Sequence, residues 1–239
     1  MLGHSLYYSS ESFMLYIVLV LPAFIFSIIA QIMVKSAFSS QSKIYSRSGY
    51  SGAQAAQEVL RYYGINNVQI NMCSGSLTDH FDPRTNTISL SESVYNSTSV
   101  AAIGVACHEA GHAAQYAQNY IPIKIRNSII PVCKIGSYAG IPLAILGYFL
   151  SFEPLVLVGL GLYSFIMIFQ LATLPVEFNA SRRAIKVIEE TRLLPNNEEL
   201  NGARRVLTAA AMTYVAALAV ALGNLLRFII MFTNRRDRR

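Results

Sequence analysis

Along this 239-residue chain the hydrophobic positions gather into four long runs, and the polar positions fill the stretches between them. Residues 13–34 are uncharged and apolar over a length that crosses a bilayer as a helix, and residues 154–174 form a second such run. A third, residues 135–150, is shorter and is expected to start a few residues earlier, with Lys134 snorkelling toward the interface. The fourth, residues 206–232, is alanine-rich in its first half and interrupted by Arg227 in its second. It is read as spanning, re-entrant, or partly lining a functional site. Between the first and third runs lie two smaller patterns. Asn86-Thr87-Ile88-Ser89-Leu90 alternates in the manner of a strand, and residues 99–107 are a small-residue apolar run that reads as a buried helix continued by Ala113, Ala114 and Gln115.

Composition turns the four runs into a class. Hydrophobic residues make up 53% of the chain and charged residues only 13%, outside the usual range for a soluble domain. The expected fold is mainly α: a multi-pass membrane protein with a short β element ahead of a buried helix and a transmembrane helical hairpin. Lysines and arginines crowd residues 35–126 and 182–205, which the positive-inside rule assigns to the cytoplasm. The segment before residue 13 carries no lysine or arginine, so the first run reads as an uncleaved anchor instead of a signal peptide. Four full crossings would put the basic tail, residues 233–239, outside, against the rule. That tail reads as a lipid-headgroup anchor, and nucleic-acid binding is not expected. Three cysteines, Cys73, Cys107 and Cys133, are too few and too irregular for a disulfide framework. No phosphate loop and no serine-nucleophile motif is present.

His108-Glu109-Ala110-Gly111-His112 carries the chemistry. Positions i and i+4 stack on one helical face, so both imidazoles reach one tetrahedral metal ion while Glu109 sits beside it. Two nitrogen ligands, a carboxylate able to take a proton from an activated water, and an open coordination position make up a zinc peptidase centre. The same string can arise by chance on an amphipathic helix. Here two of four histidines fall on one face of a buried run, where unpaired polar rings are costly. Cys107 is rotated about 100° from that face and reads as a small buried hydrophobe.

A third protein ligand is expected from elsewhere in the chain. Glu177 is the best placed, just after the second long run, with Pro175 suited to start a helix. An even number of crossings between His112 and Glu177 returns the carboxylate to the histidine side. An ordinary carboxylate at a helix N-terminus is the alternative. Glu189, Glu190, Glu198 and Glu199 look like a solvated face. Asp79, His80 and Asp82 are better explained by an Asp-Pro turn, although His80 could approach substrate.

Three blocks, residues 77–84 (LTDHFDPR), 100–113 (VAAIGVACHEAGHA) and 174–184 (LPVEFNASRRA), resemble the bacterial membrane-bound neutral zinc metallopeptidases of the YugP type, over nearly the whole chain. The 177–181 block also looks like the Glu-x-x-Ala-Asp block of the HtpX-type and CAAX-prenyl membrane proteases, in which the glutamate is the third zinc ligand. That resemblance implies one Zn2+ held by His108, His112 and Glu177, with Glu109 as the catalytic base. Ser181 stands where those proteases have aspartate, and Asn179 where closer relatives are expected to have it, which leaves open what orients the histidines.

The resemblance further implies that the strand at residues 86–90 lies along the cleft and pairs with extended substrate backbone. The organisation expected is a transmembrane helix at 13–34, a cytoplasmic catalytic segment at 35–128, a transmembrane hairpin at 129–174, and a second cytoplasmic segment with the third ligand at 175–205. The fourth hydrophobic segment follows at 206–232 and the basic tail at 233–239. The implied partners are a protein or peptide substrate and the lipid bilayer. His80, Tyr163 and Tyr214 are candidates to steady the oxyanion. The alternative is a non-catalytic membrane scaffold or quality-control subunit that retains the zinc site within a membrane-protein complex. A metal transporter is disfavoured, because the histidines lie between the apolar runs and not within them.

Overall fold

The computed structural model describes residues 13–236. The charge-poor N-terminal segment before Phe13 and the end of the basic tail, Asp237 to Arg239, lie outside the described residues. In chain order the elements are α1 (Phe13–Gln41), α2 (Gly52–Tyr62), β1 (Gln69–Cys73), β2 (His80–Asp82), β3 (Thr87–Ser91), α3 (Glu92–Tyr95), α4 (Val100–Ala117), α5 (Ile121–Phe149), α6 (Glu153–Thr191) and α7 (Asn197–Arg236). Among the described residues, α1, α5, α6 and α7 are long and apolar enough to cross a membrane. Over the described residues the protein is mainly α, with one small sheet and four candidate membrane helices. It divides into two compact units.

The first unit joins Gln31–Lys124 to Pro175–Met212. Its helices start where the sequence supplies caps. Ser51 accepts a hydrogen bond from the Gln54 amide while Gln54 Oε1 accepts one from the Ser51 amide, closing a capping box on α2. The Ser99 hydroxyl accepts from the Ala102 amide to open α4. Leu60, Ile88, Leu90, Ile103 and Ile188 are fully buried and form the centre of the core around α4. Each contributes about 1.5–3 kcal/mol by leaving water.

The sheet order is β1-β3-β2, with β1 parallel and β2 antiparallel to β3. The alternating run at 86–90 is therefore a strand, but it is the central one. β1 and β2 take both of its edges, so it is not placed to pair with a substrate. Its burial explains why: Ile88 and Leu90 fill the core beneath α4, and a strand so deeply placed attracts neighbours on both sides. The hairpin between β2 and β3 turns through Asp82-Pro83, with Asp82 Oδ1 accepting from the Arg84 amide at 2.9 Å.

The second unit comprises the described residues up to Ala30, Ile125–Leu174 and those from Thr213 onward. Here α5 and α6 form an antiparallel pair joined at Ser151, which adopts φ 54°. They approach backbone to backbone at glycine. A methyl placed on Gly159 would lie 2.4 Å from the Ala144 nitrogen, so only hydrogen fits. Pro131 and Pro142 lie inside α5. Pro175 likewise lies inside α6 and does not begin a helix as its position suggested. A proline within a long apolar helix is tolerated where surrounding helices and hydroxyls re-satisfy the freed backbone.

Candidate metal centre

α4 is able to meet α6 closely because Gly111 has no side chain. A methyl there would sit 2.7 Å from the Ala180 carbonyl oxygen. The close crossing sets Glu177, one turn before Ala180, against the imidazoles of α4. Glu177 Oε2 lies 3.4 Å from His108 Nε2 and 3.6 Å from His112 Nε2. One ligand atom from each of the three residues falls within 4.8 Å of the others, and among the described residues no other group of three His, Cys, Asp or Glu side chains does so. The two rings stand edge to face, 4.8 Å apart.

Each ring nitrogen turned away from this point is engaged elsewhere. His108 Nδ1 lies 3.1 Å from the Ser181 hydroxyl, and His112 Nδ1 lies 3.0 Å from Gln115 Oε1. Gln115 is fully buried, and its amide nitrogen donates to Val176 O at 2.8 Å and to Asn179 Oδ1 at 3.0 Å. Asn179 Oδ1 also accepts from Arg183 Nε at 2.7 Å. The Arg183 guanidinium donates to Gln118 Oε1 and lies 5.6 and 5.9 Å from the rings of Tyr63 and Tyr120.

A guanidinium has no acceptor, so Arg183 fixes the polarity of this relay. Asn179 must present oxygen, Gln115 must present its NH2 to Asn179 and its oxygen to His112, and His112 must carry its proton on Nδ1. Its Nε2, which faces Glu177, carries a proton toward that carboxylate while the ring is charged and is the nitrogen freed for a metal when the ring gives that proton up. Ser181 thus engages the outer nitrogen of His108, and Asn179 reaches His112 through Gln115. Sequence reasoning missed Gln115, Gln118 and Arg183. A glutamine three residues after His112, in a run otherwise of small apolar residues, was the available clue.

Burial favours a protonated Glu177, but hydrogen bonds from His108 and His112 and the imidazole charges outweigh it, holding the carboxyl well below the usual carboxylate range. Burial lowers His112, while Glu177 and the Glu109 charge raise it by more. Two imidazole nitrogens and an ionised carboxylate oxygen, convergent and oriented from behind, are the donor set that zinc takes, so these residues fit the ion. Glu109 lies on the same turn of α4 as both histidines and is 9% exposed.

The other sequence candidates fall into place around the centre. Cys107 is buried, its thiol directed at Ala55 O, and burial pushes that thiol far above its ordinary range. Asp79 accepts from the Ser91 amide and hydroxyl, and His80 is exposed with Nδ1 2.8 Å from Thr78 O. Glu189 and Glu190 are exposed and pair with Arg204 and Lys186. Glu199 departs from the solvated face expected of it. It is buried, accepting from the Ser46 hydroxyl and Asn196 side chain, and clamps the loop before α2 to the start of α7. Tyr163 belongs to the second unit, edge-on to Phe228 at 5.9 Å, and Tyr214 is in that unit too.

Comparison with known proteins adds an independent line. A family model described as "Putative neutral zinc metallopeptidase" matches residues 16–233. The chain is 46% identical over 226 residues to a Bacillus subtilis (strain 168) protein named "Putative membrane protease YugP", covering 94% of this chain and 99% of that one. No solved structure matches it.

Proposed function

The chain belongs to this family of neutral zinc metallopeptidases, and from that premise we propose that it is a membrane-embedded endopeptidase hydrolysing peptide bonds in membrane or cytosol-facing protein substrates. The observation that carries the reading is the convergence of His108, His112 and Glu177, with Glu109 on the same turn. His108, His112 and Glu177 would hold one zinc ion. When bound, zinc supplies a Lewis acid that polarises the scissile carbonyl and brings a water pKa down to about 7.

The protein residues do the rest. Glu109 takes the proton of the attacking water on its carboxylate and returns it to the leaving amine, a role worth about 10²–10⁴ in rate. Arg183, Asn179 and Gln115 hold the His112 ring in one tautomer, and Ser181 steadies His108. Extended substrate backbone pairs with the outer edge of β2. Phe81 of that strand packs edge to face on Tyr116 of α4, with ring centroids 5.5 Å apart, which ties the edge to the metal helix.

Glu109→Gln is expected to keep a full complement of zinc and to lose about 10²–10⁴-fold in hydrolysis of an unfolded protein. Loss of zinc in that variant would give Glu109 a structural role instead. Wild-type turnover in Glu109→Gln would remove Glu109 as the base, and a zinc-loaded wild type without turnover would make the chain a scaffold. Positive-inside counting sets the active site toward the cytoplasm. On a background without native cysteines, a cysteine replacing Ser97 resists a membrane-impermeant thiol reagent in intact cells, and labelling there reverses the orientation.

A further inference from the structure

Within the unit that carries the metal centre, a cleft of about 760 Å3 opens between α1 and α7, away from the imidazoles. Its walls change character along the helix axes. On α1, Ile32 and Met33 are exposed apolar residues at the end of the first hydrophobic run, and Ser36 and Ser40 follow one and two turns later. On the antiparallel α7, Thr208 lies at the start of the last hydrophobic run and Arg205 one turn before it. Gln41 closes the polar end, packed so tightly on Gly202 that a methyl there would meet its side-chain oxygen.

Arg204 is engaged by Glu189 at 3.2 Å and by Asn201 at 3.4 Å. Arg205 is exposed and has neither an ion pair nor a hydrogen bond among the described residues, and no Asp or Glu lines the cleft. An uncompensated guanidinium beside hydroxyl donors, with an apolar wall on the side where both helices turn hydrophobic, matches one ligand chemistry. Guanidinium and hydroxyls suit a phosphodiester, and Ile32 and Met33 suit the first methylenes of an acyl chain. The volume lies in the range of small-molecule sites, about 300–1,000 Å3.

We infer that this cleft binds one anionic phospholipid, its phosphate on Arg205, Ser36 and Ser40 and an acyl chain along Ile32 and Met33. The site is separate from the peptidase reading and stands or falls without it. Native mass spectrometry of the full-length chain, released from detergent after incubation with phosphatidylglycerol or phosphatidylcholine of the same acyl chains, tests it. The wild type retains one phosphatidylglycerol with about five-fold preference. Arg205→Gln brings retention down to the phosphatidylcholine level, and Arg61→Gln, on an exposed face of α2, leaves the preference intact. Circular dichroism confirms that each variant is folded. Equal retention of the two lipids, an unchanged Arg205→Gln, or displacement of the lipid by equimolar inorganic phosphate or by an acidic peptide each overturns the assignment.

Discussion

α4 and α5 are both built of apolar residues, yet the protein uses them in opposite ways. Thirteen of the eighteen residues of α4 are buried, and most are alanine or glycine. α5 presents Ile121, Ile125, Ile135, Tyr138 and Phe149 outward. The difference is side-chain size. Small residues let other backbones approach, as Ala180 does at Gly111, and a helix so surrounded is a rigid mount for ligands. Large aliphatic and aromatic residues reach past their own helix and suit a lipid environment. Hydropathy does not separate a helix buried in protein from one facing lipid, and residue volume does.

The largest effect that would test this contrast falls on the donors themselves. His108→Ala, His112→Ala or Glu177→Gln is expected to abolish zinc retention by the purified protein, read by atomic absorption, while Glu189→Gln and Glu190→Gln keep it. Equal zinc in all five variants would return Glu177 to an ordinary helix carboxylate.

Gly111→Val tests the mount without touching a donor. Its side chain meets the Ala180 carbonyl, so the variant is expected to lose zinc and about 1–3 kcal/mol of stability in denaturant titration. Wild-type zinc affinity in Gly111→Val would mean that the crossing distance does not set the site. Gln115→Leu is milder. It removes the acceptor for His112 and is expected to weaken zinc affinity by about 10–100-fold in a chelator competition. Arg183→Gln should follow it with a smaller loss, and no loss in either would make the relay incidental to the metal. Gly161→Ala on α6 is the smallest. Nothing lies within 4 Å of the added methyl, so it is expected to be neutral or to gain about 0.4–1 kcal/mol.

The parts legible in the sequence are those set by periodicity. The i, i+4 histidines, the small-residue run around them and the four long apolar runs all appear in the structure as helices, and the alternating run at residues 86–90 appears as β3, shifted by one residue to Thr87–Ser91. What could not be read depends on contacts remote in sequence. Pro175 looked like a helix start because local chemistry favours it there, whereas tertiary surroundings carry α6 through it. The central place of β3 follows from pairing with two strands that are themselves weakly patterned, and β2 has only three residues. Glu199 looked solvated because its partners, Ser46 and Arg47, are some 150 residues away. Gln115 and Arg183 lie 68 residues apart in the chain, so their shared contact with Asn179 is invisible to any local pattern.

The deep placement of Cys107 bears on oxidants. A thiol with no exposed surface, held protonated by its apolar surroundings, offers peroxide no thiolate to attack. The helix bearing both histidines therefore has no redox-reactive sulfur, and a metal held by these nitrogen and oxygen donors would stay bound under oxidising stress that strips zinc from a cysteine-ligated site.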